Sequence, residues 1–241
     1  MESIRNISAI ARRELALYFN SPIAYIAITV FLVICGVHLF VNYAFFEANQ
    51  ATIRPLIEQI PLFFILYAPA ITMRLISEEK RSGTVELLAT WPVTDSQIVL
   101  GKFFGAFGLL VVTLGLSLIF PLIVGSLGTL DMGTVIGGYV GLLLIGAAYL
   151  AMGLMTSTWT RNQIVAFILA VLLCTFFYGV DTLVGELWTS ARDTFAFLSF
   201  KVHFANIARG VIDTRDVIFY LSVIGSSLAF ATLSLQARNW K

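Results

Sequence analysis

Charged residues are scarce in this sequence. Asp, Glu, Lys and Arg make up 12% of its 241 residues, whereas ordinary soluble domains contain about 25%. So few charges cannot cover the surface of a soluble domain of this size, and the hydrophobic fraction of 59% also excludes a disordered chain. A formal net charge of +1 argues against a nucleic-acid partner, which a strongly basic surface would attract. The composition therefore indicates a membrane protein.

Residues that would carry catalysis or bind metal are also few. Cys35 and Cys174 lie inside apolar runs, where a free thiol packs as a small hydrophobic group. The two histidines, His38 and His203, are too far apart in sequence to suggest a metal site. The motifs G-x-x-x-x-G-K-[ST], G-x-G-x-x-G and H-E-x-x-H do not occur. We therefore predict no catalytic residue, no metal ligand and no cofactor bound by this chain.

Long gaps between charged residues predict the membrane spans. A helix needs about 20 mostly apolar residues to cross a bilayer. Five stretches fit this requirement and a sixth, the second in chain order, falls short of it but is still predicted to span. The predicted spans are 23–43, 57–76, 103–127, 134–157, 162–181 and 217–236. The second is the weakest, because only Gln59–Met73 is free of charge and it contains Pro61 and Pro69. The apolar run after Arg13 is too long for a signal peptide, so we expect no cleaved leader.

Basic residues predict the orientation of these spans. With six spans both ends lie on one side, and 10 of the 15 Lys and Arg residues fall on that side. The positive-inside rule then places both ends, and the hairpin between spans 2 and 3, in the cytoplasm. Residues 3–19 combine an apolar stripe with Arg5, Arg12 and Arg13, as an amphipathic helix in the membrane interface does. The alternative is a segment that only directs topology.

The hairpin between spans 2 and 3 is the densest charge cluster. Glu78–Arg81 are charged, Gly83 breaks the helix, and Thr84 can cap a new helical turn. That turn has an apolar side in Val85–Leu88 and ends before Pro92. A short helix of this kind suits docking into a groove on a soluble partner. The alternative is a solvated loop that fixes topology.

Glycines recur at four-residue spacing in spans 3 and 4. Gly101 and Gly105 form one pair, and Gly133, Gly137 and Gly141 form a longer run. Small residues at this spacing let helix backbones approach closely in a membrane. The pattern fits packing within one bundle or between two copies of the chain.

Several motifs resemble the membrane subunits of ABC type-2 transporters. The hairpin string Met73–Leu88 is followed by Trp-Pro-Val at 91–93 and by Gly101-Lys102-Phe103. The other matching segments, in chain order, are 14–25, Gly138–Gly141, Thr160–Gln163, Arg209–Asp213 and Arg215-Asp216. Together they cover nearly the whole chain. More narrowly, the sequence resembles the gliding-motility-associated permease group.

The resemblance implies a fold and a set of functional segments. The fold is all-α, a single polytopic transmembrane domain over residues 1–241. It has six transmembrane helices, an N-terminal amphipathic elbow helix at 3–19, a cytoplasmic coupling helix within 77–95, and short re-entrant outer helices in 183–211. The implied ATPase-coupling residues are Glu78, Glu79, Arg81, Gly83, Thr84, Glu86 and Leu87. The residues singled out in the outer segment are Trp188, Lys201, His203 and Arg209.

The resemblance also implies partners. A separate ABC ATPase subunit would bind ATP and Mg, and a second permease copy, identical or a paralogue, would complete a pathway lined in part by spans 2 and 5. An auxiliary membrane or periplasmic protein and membrane lipids are further candidates, whereas nucleic acid is not.

The leading hypothesis is a permease subunit in the bacterial cytoplasmic (inner) membrane that couples ATP hydrolysis elsewhere to export or movement of a substrate. The alternative is a mechanotransmitting subunit that passes ATP-driven motion to a periplasmic or membrane partner without transport. An intramembrane enzyme is disfavoured, because the sequence shows no acidic pair or His–Asp pair at mid-membrane depth.

Overall fold

The computed structural model describes residues 2–43, 51–84, 93–187, 197–210 and 213–237. Apart from short turns and connections these residues are helical, and they contain no strand. The α-helices, numbered in chain order, are α1 Glu2–Phe19, α2 Pro22–Val37, α3 Arg54–Thr72, α4 Ser77–Ser82, α5 Asp95–Ser117, α6 Ile119–Leu127, α7 Met132–Trp159, α8 Gln163–Leu187, α9 Phe200–Ala208 and α10 Thr214–Gln236. A π-helical segment, His38–Asn42, continues α2.

Six helical stretches within the described residues are long and apolar enough to cross a membrane, which confirms the number of predicted spans. They are Pro22–Asn42, Arg54–Ser82, Asp95–Leu127, Met132–Trp159, Gln163–Thr182 and Thr214–Gln236.

The second stretch is longer than its uncharged segment suggested. Arg54 and Glu58, one helical turn apart, form an exposed ion pair of 2.7 Å at the start of α3. Pro61 and Pro69 lie inside α3, which nevertheless continues to Thr72. The helix therefore begins before the apolar segment and carries both of its charges near its start.

Polar side chains fix the starts of three long helices. Thr94 and Gln97 form a reciprocal capping box at the start of α5. Asp213 accepts a hydrogen bond from the Arg215 amide at the start of α10. Asp131 caps α7, and hydrogen bonds from the Thr134 hydroxyl and the Gly133 amide hold the pKa of this carboxyl below its usual value.

The helix α7 is the centre of the bundle. In an apolar 18-residue segment of α7, 72% of the residues are buried. In the corresponding segments of α8 and α10, only 22% of the residues are buried. The helices α3, α5, α8, α9 and α10 all pack against α7, and α1 packs along α5. The outer helices therefore expose apolar faces, as a chain surrounded by lipid requires.

Candidate functional site

A buried ion cluster joins three separate elements at one end of the bundle. Lys102 on α5 lies with its Nζ 3.1 Å from Glu14 Oε1 on α1 and 2.7 Å from Glu79 Oε1 on α4. Arg13 Nη2 is also 3.1 Å from Glu14 Oε1. The side chain of Lys102 is 2% exposed and that of Glu14 is 8% exposed. Because charges buried this deeply are costly unless they are paired, Lys102 and Glu14 stabilise each other, and Glu79 and the half-exposed Arg13 are further partners.

Glycines on α5 allow this cluster to form. A Cβ atom on Gly101 would lie 2.6 Å from Ile10 Cβ, and one on Gly105 would lie 2.6 Å from Glu14 Cβ. No side chain fits at either position, so α1 approaches the α5 backbone directly. This close approach lets the short Glu14 side chain reach Lys102, which lies between the two glycines in sequence.

The segment that leads into α4 is bound to the end of α7. The hydroxyl oxygen of Ser157 accepts hydrogen bonds of 3.1 Å from the amides of Ile76 and Ser77, and its hydroxyl donates to the Met73 carbonyl. The Lys80 ammonium donates to the Thr158 carbonyl. The Ile76 and Ser77 amides thus find their hydrogen-bond acceptor on α7. These bonds attach α4 to the end of α7.

A cavity of about 350 Å³ with charged residues in its lining opens beside the ion cluster. Its lining includes Glu78, Glu79 and Lys102, together with Arg74 and Tyr18. The Tyr18 hydroxyl donates a 2.9 Å hydrogen bond to the Ile71 carbonyl, and the Arg74 guanidinium lies 5.3 Å from the centre of the Tyr18 ring. Burial raises the pKa of Tyr18 well above its usual value, so the hydroxyl remains a hydrogen-bond donor.

The predicted coupling residues occupy different environments. Glu79 belongs to the ion cluster, whereas Glu78 and Arg81 are exposed on α4. Gly83 ends α4 with φ at +74°, a conformation that glycine adopts without strain. Thr84 is exposed and within hydrogen-bond distance of the Ser82 hydroxyl. Glu86 and Leu87 lie outside the described residues.

The three predicted outer residues that the structure describes occupy different environments. His203 is buried, with Nδ1 2.6 Å from Asp216 Oδ1 on α10 and Nε2 2.9 Å from the Phe197 carbonyl oxygen. Both ring nitrogens thus face oxygen atoms, and the ring stacks on Phe219 at 4.0 Å. Lys201 and Arg209 are exposed to the surroundings of the bundle. Trp188 lies outside the described residues.

The glycine run on α7 faces α9 and the turn after it. A Cβ atom on Gly137 would lie 2.7 Å from the Ile207 carbonyl oxygen, and one on Gly141 would lie 3.1 Å from atoms of Ile207 and Phe204. Gly210, with φ at +85°, approaches the backbone of Gly133. These three glycines of α7 therefore sit against elements of the same chain.

The sequence analysis missed the roles of Glu14, Lys102 and Asp216. A signal existed for Glu14, since it falls on the helical stripe of α1 that includes Ile7 and Ile10 and so faces inward. Lys102 lies between two glycines that marked a close helix contact. Asp216 gave no such signal, because nothing in the sequence places α9 against α10.

Among the residues that the structure describes, no group of three or more His, Cys, Asp or Glu side chains is arranged to hold a metal ion. The His203–Asp216 pair contributes two side chains of these types, not three.

Comparison with known proteins adds one finding. A family model described as "ABC-2 family transporter protein" matches residues 8–235. No curated protein sequence matches the chain significantly.

Proposed function

Because this chain belongs to the ABC-2 family of transporter proteins, we propose that it is a permease subunit driven by ATP hydrolysis in a separate ATPase. Membership of the family makes it a multi-pass membrane component of an ABC transporter, and it implies an ABC ATPase as partner. The proposal adds that residues 77–95 bind this ATPase and transmit its movement. The ATPase would supply the site for ATP and Mg.

The observation that supports the proposal is the buried ion cluster. It ties α4, which carries the exposed Glu78 and Arg81, to α1 and to the start of α5. The hydrogen bonds of Ser157 and Lys80 tie the same region to α7. A force applied to α4 therefore acts on three further helices at once, one of which is the centre of the bundle.

This arrangement suggests how ATP could move the spans. ATP binding would draw the partner ATPases together and push on α4 from the cytoplasm. Because α4 is joined to α1, α5 and α7, these helices would shift together rather than bend locally. Two permease copies moving in this way would alternate between conformations open to opposite sides of the membrane.

The remaining parts of the proposal concern location and assembly. We place the chain in the bacterial cytoplasmic membrane with both ends in the cytoplasm, on the basis of its basic residues. We also propose that it belongs to the gliding-motility-associated permease group, on the basis of its motifs. A second copy would pack on an apolar helix face such as that of α8, where Ile168 and Leu172 are exposed.

Co-purification of the ATPase tests the coupling site. In the full complex, Glu78→Lys combined with Arg81→Glu should weaken the affinity for the ATPase about tenfold, which corresponds to about 1.4 kcal/mol. The matched control is Arg54→Glu with Glu58→Lys, which reverses an exposed pair at the other end of α3. The proposal fails if the wild-type chain brings down no ATPase in mild detergent, or if both double variants reduce its binding equally.

Reconstitution separates transport from the mechanotransmission alternative. Liposomes that contain the complete complex should move a substrate only when ATP is supplied. ATP hydrolysis that changes the conformation of the permease without moving any substrate would favour mechanotransmission instead.

A further inference from the structure

An apolar groove runs between α2 and α3 on the outside of the bundle. Its volume is about 590 Å³. Two rows of side chains at four-residue spacing line it, Ile26, Val30 and Ile34 on α2 and Leu62, Leu66 and Ala70 on α3. All six are exposed, so α2 and α3 leave this space open to their surroundings.

The dimensions of the groove match one leaflet of a bilayer. At 1.5 Å rise per residue, the stretch from Leu62 to Arg74 is about 18 Å long. Half of a hydrocarbon core of about 30 Å is about 15 Å. An acyl chain lying along the groove would therefore run from the membrane interface at Arg74 to about the middle of the bilayer.

One end of the groove carries a cation. Arg74 lines it there, beside Met73. The guanidinium lies over the Tyr18 ring, but none of the ion pairs among the described residues includes it. Arg54, near the opposite end of α3, is instead paired with Glu58. The adjoining cavity is lined by three carboxylates. Glu14 and Glu79 are bound to Lys102, whereas Glu78 is exposed, and none of the ion pairs among the described residues joins it to Arg74.

We propose that this groove binds one acyl chain of an anionic phospholipid whose phosphate is held by Arg74. A guanidinium presents several N–H groups in a plane and binds phosphate oxygens with two parallel hydrogen bonds. A lipid supplies both the apolar chain and the anion that this combination of groove and cation requires. An apolar helix from a second copy would fill the groove but would offer the Arg74 guanidinium no anion.

Lipid titration of the complete complex tests the proposal. Native mass spectrometry would compare phosphatidylglycerol and phosphatidylcholine with identical acyl chains, added to complexes purified free of lipid. The wild-type complex should bind phosphatidylglycerol more tightly. Arg74→Gln should weaken that binding about tenfold, as expected for the loss of a charge-assisted hydrogen bond, whereas Arg74→Lys should keep part of it.

A second variant tests the groove itself. Ala70→Phe fills the space between the helices and should displace the acyl chain, so it should weaken binding even though Arg74 is intact. Matched controls are Arg54→Gln, which removes a paired cation from the other end of α3, and Ala229→Phe, which adds the same ring to an exposed position on α10. Both should bind phosphatidylglycerol as the wild type does.

Two results would overturn the proposal. The first is an equal affinity of the wild type, Arg74→Gln and Ala70→Phe complexes for phosphatidylglycerol. The second is a rapid disulfide between two copies carrying Val30→Cys, since that would show that a second permease fills the groove. Neither result depends on whether the ATPase couples through α4.

Discussion

At Gly105 the space between α5 and α1 does not admit a methyl group. A Cβ atom there would lie 2.6 Å from Glu14 Cβ and 3.2 Å from the Ala11 carbonyl oxygen. We expect Gly105→Ala to push α1 away and to lower the stability by about 1–3 kcal/mol, the usual cost of overpacking. The melting temperature of the purified protein, followed by tryptophan fluorescence, should fall.

Gly115 provides the matched control on the same helix. A Cβ atom at that position would have no neighbour within 4 Å. Since alanine favours a helix over glycine by about 1 kcal/mol, Gly115→Ala should leave the melting temperature unchanged or raise it. Equal destabilisation by both variants would show that the contact between α1 and α5 is not the cause.

A second prediction at the scale of single residues concerns Lys102. Lys102→Met leaves Glu14 and Glu79 facing each other without their shared cation. We expect a loss of about 3–5 kcal/mol, as for other buried pairs that lose one partner. Adding Glu14→Gln and Glu79→Gln to Lys102→Met removes the uncompensated charges and should recover part of that loss.

The measurement is a comparison of thermal stability among the wild type, Lys102→Met and the triple variant. Restoration by the two glutamines distinguishes charge imbalance from a simple loss of side-chain packing. If the triple variant is no more stable than Lys102→Met alone, the cluster does not depend on charge compensation.

At the scale of helices, α9 is held in place by few polar contacts. His203 binds Asp216 of α10, and the Tyr220 hydroxyl donates a 2.8 Å hydrogen bond to the Phe200 carbonyl. We expect His203→Ala to loosen α9 while the long helices stay protected. Hydrogen exchange measured by mass spectrometry should become faster in residues 197–210 and remain unchanged in α7. Lys201→Ala, an exposed change on the same helix, should alter neither.

The number of spans was predictable from the sequence because it depends on local composition. A long apolar stretch with few charges can be recognised residue by residue, and six stretches of this kind are found among the described residues. The ion cluster was not predictable in this way. Glu14, Glu79 and Lys102 lie far apart in the chain, and only the close packing of α1 on α5 brings them together. The glycines showed that a helix would approach α5 but not which one.

At the scale of the whole molecule, charge and apolar surface are separated. The Glu14–Lys102–Glu79 cluster lies where α1, α4 and α5 meet, whereas α2, α8 and α10 carry exposed apolar rows such as Ile164, Ile168 and Leu172. A protein of this kind can respond to a soluble partner at its charged end and keep its sides in lipid. The assignment of that charged end to the cytoplasm is therefore central to the proposed function.

Thiol labelling tests this orientation with little background, because Cys35 and Cys174 are fully buried. Ser82→Cys places a thiol at the exposed end of α4, and Thr129→Cys places one in the exposed connection between α6 and α7. In intact spheroplasts a membrane-impermeant maleimide should label Thr129→Cys but not Ser82→Cys. After the membrane is permeabilised both variants should react, and the unsubstituted chain should remain unlabelled. Labelling of Ser82→Cys in sealed spheroplasts would place α4 on the outer side, where no ATPase could reach it.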